Sequence, residues 1–263
     1  MIQELPTITF FHTLADIAGK EALRRFRSNQ ALEVSSKSKR GMPFDPVTEA
    51  DQETERVMRE HILSRYPYHA ISGEELGLTG GGPIQWQLDP INGTRAFLCG
   101  LPVWGTLIGL LHNGRAKMGM MTQPFTRERF WADGKMAWRR GLNSNGMLMT
   151  RKNIPLNQAI LHTNSPELID HDAYLRFKEL SKLSLMTRYG GECYAMAMLA
   201  AGHIDICVEY ALKPYDIAAF IPIIEQAGGV VTTLKGERPE AGGQILAAGC
   251  ARIHEQALKI LNG

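Results

Sequence analysis

The sequence predicts an α+β fold in which sheets and helices are stacked in layers. Apolar residues recur at helical spacing near the start of the chain, and short apolar or alternating runs separated by Gly, Pro, Asn and Asp fill its middle. Helical and strand-like runs are then mixed toward the end, which disfavours a simple alternation of strands and helices. A chain of 263 residues with 44% apolar side chains is long enough to bury such a core.

The first element is a predicted amphipathic helix at about residues 8–28. Apolar residues such as Phe11, Leu14 and Ala18 recur there at three- and four-residue steps, so one stripe of the helix is expected to be buried. The following stretch, residues 34–45, is polar, basic and contains glycine, and it predicts a loop.

A second helix is predicted from residue 49 to about Arg65. Thr48 and Asp51 have the spacing of a capping box, in which the two side chains satisfy the first backbone N–H groups of a helix. Pro67 marks the end of this helix because proline cannot continue it.

The middle of the chain is predicted to be rich in strands, and helices and strands are interleaved after it. Strands are predicted at 69–72, 84–89, 103–111, 115–122, 128–132, 158–163, 204–209, 229–233 and 244–249. Helices are predicted at 167–181, 192–201, 214–227 and 251–261. No linker clearly divides the chain, and we place the boundary between an N-terminal lobe, 1–145, and a C-terminal lobe, 146–263, near residue 145.

Charge and cysteine usage exclude several classes of protein. Twenty-nine Lys and Arg against 27 Asp and Glu give a net charge of +2, so no nucleic-acid partner is expected. The four cysteines form no CxxC pair, which predicts reduced thiols rather than a disulfide framework or a zinc cluster. No signal-type segment and no run of about 18 apolar residues is present, so we expect a cytoplasmic protein without a membrane partner.

Acidic residues follow or begin predicted elements in three separate segments. Glu74 and Glu75 follow one strand, Asp89 and Pro90 end another, and Asp216 opens a helix. Each has an ordinary interpretation when taken alone: a solvated loop charge, a turn, and an acid that complements the helix dipole. Their combination favours a functional site, since such sites concentrate in loops at the ends of elements.

Asp89 is the most informative of these acids. It follows Trp86 and Leu88 on a strand whose alternate residues are apolar, so its carboxylate needs a partner or a cation. Carboxylate and carbonyl oxygens suit Mg²⁺, and the Gly93-Thr94 pair after the strand offers free N–H groups to an anion. Carboxylates, a cation and an anion cradle together predict metal-assisted phosphate chemistry.

Four motifs resemble the inositol monophosphatase superfamily of Mg²⁺-dependent, Li⁺-sensitive phosphatases in order and spacing. They are PVTEAD at 46–51, GEE at 73–75, DPINGT at 89–94 and PYDIAA at 214–219. Within that superfamily the chain most resembles the bacterial histidinol-phosphatase branch, through the runs at 89–97, 100–104, 123–126 and 188–195. The resemblance implies a layered αβαβα sandwich of the inositol monophosphatase and fructose-1,6-bisphosphatase type.

The resemblance also implies a metal site with two or three Mg²⁺ ions. Glu74, Asp89 and the carbonyl of Ile91 are expected to hold the ion that activates water. Asp89, Asn92 and Asp216 are expected to hold a second ion that faces the leaving oxygen. The family has an Asp where this chain has Asn92, and a neutral amide should bind the second ion more weakly.

Catalytic and substrate-binding roles follow from the same resemblance. Thr94, linked to Asp51, is expected to help Glu74 orient and deprotonate the water. Glu192 is expected either to pair with a cationic group of the substrate or only to complement a helix dipole. The residues expected to contact substrate are Gly93, Thr94, Arg188, Gly191, Glu192 and Asp216.

The resemblance thus predicts a homodimeric phosphatase that hydrolyses L-histidinol phosphate. Two alternatives stay open at this point. The first is another small phosphorylated metabolite, such as inositol monophosphate, as the substrate. The second is a phosphate-ligand binding protein whose catalysis is impaired by Asn92. The basic residues Lys37, Lys39 and Arg40 are either a solvated loop or a flap that approaches the substrate phosphate.

Overall fold

The computed structural model describes residues 4–28, 34–36, 46–142 and 145–263. The basic residues Lys37, Lys39 and Arg40 lie outside these ranges. The loop predicted at 34–45 is wrong at its start, because Val34–Ser36 forms strand β1 and pairs antiparallel with β2, Pro46–Thr48. Among the described residues, no helix has the length and apolarity that crossing a membrane requires.

The described ranges contain eight α-helices and fifteen strands, in a mixed order. The α-helices are α1 (Ile8–Leu23), α2 (Glu49–Arg65), α3 (Thr94–Leu98), α4 (His171–Leu183), α5 (Glu192–Ala200), α6 (Pro214–Ile217), α7 (Phe220–Gln226) and α8 (Ala251–Asn262). The further strands are β3 (Ala70–Gly73), β4 (Gly77–Thr79), β5 (Ile84–Asn92), β6 (Gly105–His112), β7 (Arg115–Gln123), β8 (Glu128–Ala132), β9 (Ala137–Arg140), β10 (Asn145–Met147), β11 (Ile160–Thr163), β12 (Met186–Tyr189), β13 (Ile206–Leu212), β14 (Val230–Thr233) and β15 (Gly243–Ala248).

Two sheets form the frame of the molecule. The first is eight-stranded in the order β10-β9-β8-β7-β6-β5-β3-β4 and is antiparallel except for the β3/β5 pair. The second is five-stranded in the order β12-β11-β13-β15-β14, with β11 parallel to both of its neighbours. The first sheet ends at Met147 and the second begins at Ile160.

Three helical layers cover the faces of these sheets. Apolar side chains of α1 and α2 pack on β5, β6 and β7 in one core cluster. A second cluster joins the opposite face of the first sheet to α5, α6 and α7 and then to the second sheet. A third places α4 and α8 on the outer face of the second sheet. The order is helix, sheet, helix, sheet, helix, so the predicted αβαβα sandwich is confirmed.

Several predicted boundaries are wrong for local reasons. Helix α1 ends at Leu23 rather than near residue 28, and the turn after it reaches the left-handed region at Arg27, with φ of 55°. The helix predicted at 214–227 is two helices, α6 and α7, because Pro222 has no N–H to donate to the carbonyl four residues earlier. Helix α4 begins at His171, after a short 3₁₀ turn at Pro166–Leu168.

The end of β5 bends toward the interior helices. Pairing with β6 shifts register between Asp89 and Asn92, where Pro90 has no N–H for the ladder. The carbonyl of Pro90 instead accepts a hydrogen bond from the Thr106 hydroxyl at 2.8 Å. This bulge directs the side chains of Asp89 and Asn92 toward α6.

Candidate active site

The bent end of β5 brings Asp89, Asn92 and Asp216 together. Asn92 Nδ2 donates one hydrogen bond to Asp89 Oδ2 at 2.7 Å and another to Asp216 Oδ1 at 3.1 Å. Asp89 is 1% exposed, and its Oδ1 has no hydrogen-bond partner among the described residues. The backbone N–H of Lys213 donates to Asp216 Oδ2 at 2.6 Å, which holds that carboxylate at the start of α6.

Burial and mutual repulsion perturb this group of acids. Burial raises the pKa of Asp89 well above its usual value, and the charges of Glu74 and Asp216 raise it further. Burial also raises the pKa of Asp216 to about 6, although the Lys213 N–H opposes the shift. The acids predicted from separate segments of the sequence thus share one desolvated space.

This arrangement fits a hard divalent cation. A buried carboxylate oxygen without a partner, at Asp89, is placed to accept a cation that would also relieve the repulsion from Glu74 and Asp216. Among residues 4–28, 34–36, 46–142 and 145–263, no three His, Cys, Asp or Glu side chains are arranged to hold an ion by themselves. A complete ligand set therefore has to include a neutral oxygen, such as the Asn92 amide, the Ile91 carbonyl or water, and Mg²⁺ commonly retains water.

Thr94 connects the end of β5 to helix α2. Its hydroxyl lies 3.2 Å from Asp51 Oδ1 and 3.2 Å from the Ile91 carbonyl oxygen. Asp51 is fully buried and also accepts from the Thr48 N–H at 2.9 Å and the Thr48 hydroxyl at 2.6 Å. Burial raises the pKa of Asp51, the Thr48 hydrogen bonds lower it, and the charge of Glu74 raises it. The expected contact between Thr94 and Asp51 is present.

Gly93 forms the turn between β5 and α3. Its φ of 90° lies in the left-handed region, where glycine is unstrained. A Cβ at this position would approach Glu192 Cγ to 2.9 Å, so the Glu192 side chain lies directly against the turn. The first N–H groups of α3 have no partner within the helix, as at every helix start.

A cavity of about 120 Å³ extends from this turn toward the second sheet. Asn92, Gly93 and Asp216 line it, and so do Glu192 and Glu209. The cavity thus connects the acids at the end of β5 with a second pair of carboxylates.

Asn164 joins these two carboxylates. Its Nδ2 donates to Glu192 Oε2 at 2.6 Å, and its backbone N–H donates to Glu209 Oε2 at 3.2 Å. Glu192 has a φ of 46°, a conformation that is uncommon for a residue with a side chain and is typical of functional sites. Glu192 is therefore held in a strained conformation with its carboxylate fixed by Asn164.

His162 lies between Gly191 and Glu209. Its Nε2 accepts a hydrogen bond from the Gly191 N–H at 3.1 Å, so the proton of the neutral ring resides on Nδ1. Nδ1 lies 3.3 Å from Glu209 Oε1. Burial raises the pKa of Glu209, whereas the contact with His162 lowers it.

The structure brings most of the predicted site residues to one place, with two differences. Arg188 is exposed on β12, the edge strand of the second sheet, and does not line the cavity. The N–H of Gly191 is already engaged by His162, so it is not free to bind a substrate. Sequence reasoning missed Glu209, although a lone acid within the apolar run ICVEYAL signals a buried functional carboxylate.

Asn164 was also missed, and it follows strand β11 with no motif of its own. Cys193 lines the same cavity, with Sγ 3.8 Å from the Asn92 carbonyl oxygen. Both residues are recognised only once the fold brings the two sheets together.

The chain is similar to known phosphatases over nearly its whole length. The model of the inositol monophosphatase family matches residues 4–262. A chloroplastic bifunctional phosphatase of Arabidopsis thaliana is 39% identical over 265 residues, covering 95% of this chain and 73% of the relative. A histidinol-phosphatase of Streptomyces coelicolor is 33% identical, covering 98% and 97%. The solved structure of an inositol monophosphatase from Zymomonas mobilis superposes with a TM-score of 0.85 at 33% identity and covers 97% of both chains.

Proposed function

Since the chain belongs to the inositol monophosphatase family, we propose that it is a Mg²⁺-dependent phosphomonoesterase that converts L-histidinol phosphate to L-histidinol and phosphate. The observation that carries the choice of substrate is the acidic cavity beside Gly93, which holds the carboxylates of Glu192 and Glu209. The relative from Streptomyces coelicolor that bears the name histidinol-phosphatase supports the same choice.

We propose metal ligands at the end of β5, after β3 and on α6. Glu74, Asp89 and the Ile91 carbonyl would hold one Mg²⁺, and Asp89, Asn92 and Asp216 would hold a second, in a site of two or three ions. Bound there, Mg²⁺ supplies Lewis acidity that activates water and neutralises charge on the phosphoryl group.

The chain's own groups have distinct roles in the proposed hydrolysis. Glu74 accepts the proton of the attacking water, and the hydroxyl of Thr94, held by Asp51, orients that water. The N–H groups of Gly93 and Thr94 hold the phosphate oxygens at the start of α3. Because Asn92 contributes an amide rather than a carboxylate, the second ion, which would neutralise charge on the leaving oxygen, would be held mainly by Asp89 and Asp216.

The acidic cavity suits an ester with a cationic leaving group. L-histidinol carries an ammonium and an imidazole, and both can donate hydrogen bonds to carboxylates in their charged forms. Glu192 lies against Gly93, so a phosphate held at Gly93 places the rest of the ester beside its carboxylate. A charge-assisted hydrogen bond in such a partly desolvated place contributes about 1.5–3 kcal/mol.

Phosphate release from a panel of esters tests the proposal. Glu192→Ala should raise KM for histidinol phosphate by about 10-fold or more, the equivalent of at least ~1.4 kcal/mol. It should barely change the hydrolysis of an ester with an uncharged leaving group, such as inositol 1-phosphate. Glu179→Gln on the exposed face of α4 is the matched control and should change neither. Equal losses on both substrates would show that Glu192 acts structurally, and inositol 1-phosphate as the preferred substrate would refute the specificity.

One observation favours a second candidate, a phosphate-ligand binding protein with impaired catalysis. The amide of Asn92 already satisfies one oxygen of each neighbouring carboxylate, which a third carboxylate at this position would not do. Mg²⁺-dependent turnover of any ester on the panel decides against this candidate. We also propose a cytoplasmic homodimer, and light scattering on the purified protein tests the dimer.

A further inference from the structure

The segment that carries Glu74 is held from one side by a buried carboxylate on α2. Glu55 is fully buried, and its Oε2 accepts a hydrogen bond from the Glu75 N–H at 2.7 Å. Its Oε1 accepts from the Leu76 N–H at 3.2 Å. Glu55 thus binds the two backbone amides that directly follow Glu74.

Arg59, one helical turn later, completes this contact. Its Nε donates to Glu55 Oε1 at 2.7 Å, and Nη1 donates to the Thr79 hydroxyl at 2.9 Å. Nη2 donates to the Gly77 carbonyl oxygen. The pair therefore spans the whole β3–β4 hairpin, from the amide after Glu74 to the end of β4, and Arg59 neutralises the buried charge of Glu55.

The opposite side of the same segment is fixed by β5. The N–H of Glu74 donates to the Leu88 carbonyl oxygen at 3.1 Å, next to Asp89. On the α2 side, a Cβ at Gly73 would lie 2.1 Å from Glu55 Oε1, so the carboxylate is in direct contact with the backbone before Glu74. Glu74 therefore lies between two anchors that leave its backbone little freedom.

Stability alone is a weak reason for this arrangement. A buried ion pair roughly breaks even against apolar residues of similar volume, because both charges have to be desolvated. The hairpin that the pair holds is also exposed over β4, where Gly77, Leu78 and Thr79 contribute little to the core. The pair does, however, fix the backbone on which a proposed metal ligand and base is mounted.

We propose that Glu55 and Arg59 are positioning residues that set the direction of the Glu74 carboxylate toward Asp89. This inference rests on the proposed role of Glu74. The partners of a metal ligand are commonly as important as the ligand, and their loss lowers metal affinity or activity by about 10- to 100-fold. Here the support is given to the backbone rather than to the carboxylate itself.

Glu55→Gln is the primary test. The substitution keeps the shape of the side chain, but its amide nitrogen cannot accept from a backbone N–H, so at least one anchor is lost. We expect Mn²⁺ binding, measured by electron paramagnetic resonance on the protein without substrate, to weaken by about 10-fold or more. We also expect faster hydrogen exchange at Glu75 and Leu76 and a lower kcat, with KM for the ester unchanged.

Glu60→Gln is the matched control, because Glu60 is on the same helix and pairs with Arg56 on the exposed face. It should leave Mn²⁺ binding, exchange and kcat as they are. If Glu55→Gln does not fold, Arg59→Lys provides the second test, since lysine keeps the charge but cannot donate to Thr79, Gly77 and Glu55 together. It should produce the same changes in metal binding and exchange.

Glu74→Gln separates this inference from the proposed function. If Glu74→Gln weakens Mn²⁺ binding whereas folded Glu55→Gln and Arg59→Lys do not, the positioning role is overturned and the proposed function is unaffected. If Glu74→Gln itself leaves Mn²⁺ binding unchanged, the proposed metal site is wrong and this inference is overturned with it. A loss of thermal stability in Glu55→Gln with metal binding and kcat retained also overturns the positioning role.

Discussion

Asn92 donates both hydrogens of its amide to neighbouring acids, one to Asp89 and one to Asp216. It therefore lessens the repulsion between these two carboxylates while no cation is bound. In the pattern that this chain resembles, an Asp at the same position would add a third negative charge to the group. The residue thus stabilises the metal-free protein and lowers the charge available to a metal.

The substitution Asn92→Asp should destabilise the metal-free protein and strengthen metal binding. Without divalent ions the variant should unfold at a lower temperature, because a third carboxylate beside Asp89 and Asp216 replaces a hydrogen-bond donor. With Mg²⁺ its kcat should rise by about 10²- to 10³-fold, the size expected for restoring one preorganised electrostatic group. Phosphate release and thermal unfolding with and without Mg²⁺ measure both effects.

Asn153→Asp, at an exposed position, is the control for a simple change of net charge. It should alter neither kcat nor the Mg²⁺ requirement. If Asn92→Asp leaves both quantities unchanged, position 92 is not a metal ligand, and the transfer of the site from the family is wrong at its centre.

The sequence predicted those site residues whose neighbours along the chain make an acid unexpected or place it at the end of an element. Asp89 ends an apolar strand and Asp216 follows a proline at a helix start, so each has a visible reason to be functional. Glu55 has no such signal, because it reads as an ordinary acid on a charged helix. Its burial depends on the hairpin that folds over α2, and this contact between distant segments is not encoded in any local pattern.

At the scale of elements, two glycines allow the helical corner that carries Asp216 to approach the first sheet. A Cβ at Gly109 on β6 would lie 2.7 Å from Ala218 Cβ, and one at Gly119 on β7 would lie 2.0 Å from the Ala219 carbonyl oxygen. The corner between α6 and α7 therefore packs directly against the backbone of β6 and β7. Side chains at these positions would keep Asp216 away from Asn92.

Gly119→Ala tests this close approach. The new methyl group meets a backbone oxygen, which cannot rotate away, so we expect a loss of about 1–3 kcal/mol in the free energy of unfolding. We also expect weaker Mg²⁺ activation, since Asp216 moves with the corner. Gly81→Ala is the matched control, because no atom lies within 4 Å of its Cβ position. Normal stability and Mg²⁺ activation in Gly119→Ala would contradict the account.

The elements that the sequence missed are short or lie at sheet edges. Strands β4, β9, β10 and β12 have three or four residues each, too few for a periodic pattern to show. These short segments form strands because they pair with neighbouring strands in the sheets, and not because of a pattern in their own residues. Strand β8, by contrast, was predicted with its observed bounds, because its apolar run is flanked by clear turn residues.

At the scale of the whole molecule, the candidate site draws on both sheets and on the helical layer between them. The acids at the end of β5 belong to the first sheet, Glu209 belongs to the second, and Asp216 and Glu192 begin helices of the middle layer. An ion bound among these groups would therefore connect separate layers. The layered class of the fold was predicted from the mixture of periodicities, but this convergence was not, because it depends on how the sheets are stacked.

Mg²⁺ should accordingly stabilise the entire fold. An ion that binds only the folded protein adds about 2.7 kcal/mol to the free energy of unfolding at 100 times its Kd. Thermal unfolding in Mg²⁺, and again after chelation, measures this shift, which should be lost with the metal. Ca²⁺ should also raise the unfolding temperature but inhibit turnover, because it accepts looser geometry and more ligands. Full activity after exhaustive chelation would contradict the metal-assisted mechanism.

Helix α2 contacts the candidate site at two points, through Asp51 to Thr94 and through Glu55 to the segment of Glu74. Asp51 and Glu55 are four residues apart, which is about 6 Å along the helix axis. The helix therefore fixes the distance between its two contacts with the candidate site. Inserting or deleting one residue between positions 51 and 55 would rotate one of these side chains by about 100° around the helix axis relative to the other. Lineages of this protein are therefore expected to vary in length at exposed turns such as Gly80–Gly82, and to keep the spacing of these two acids unchanged.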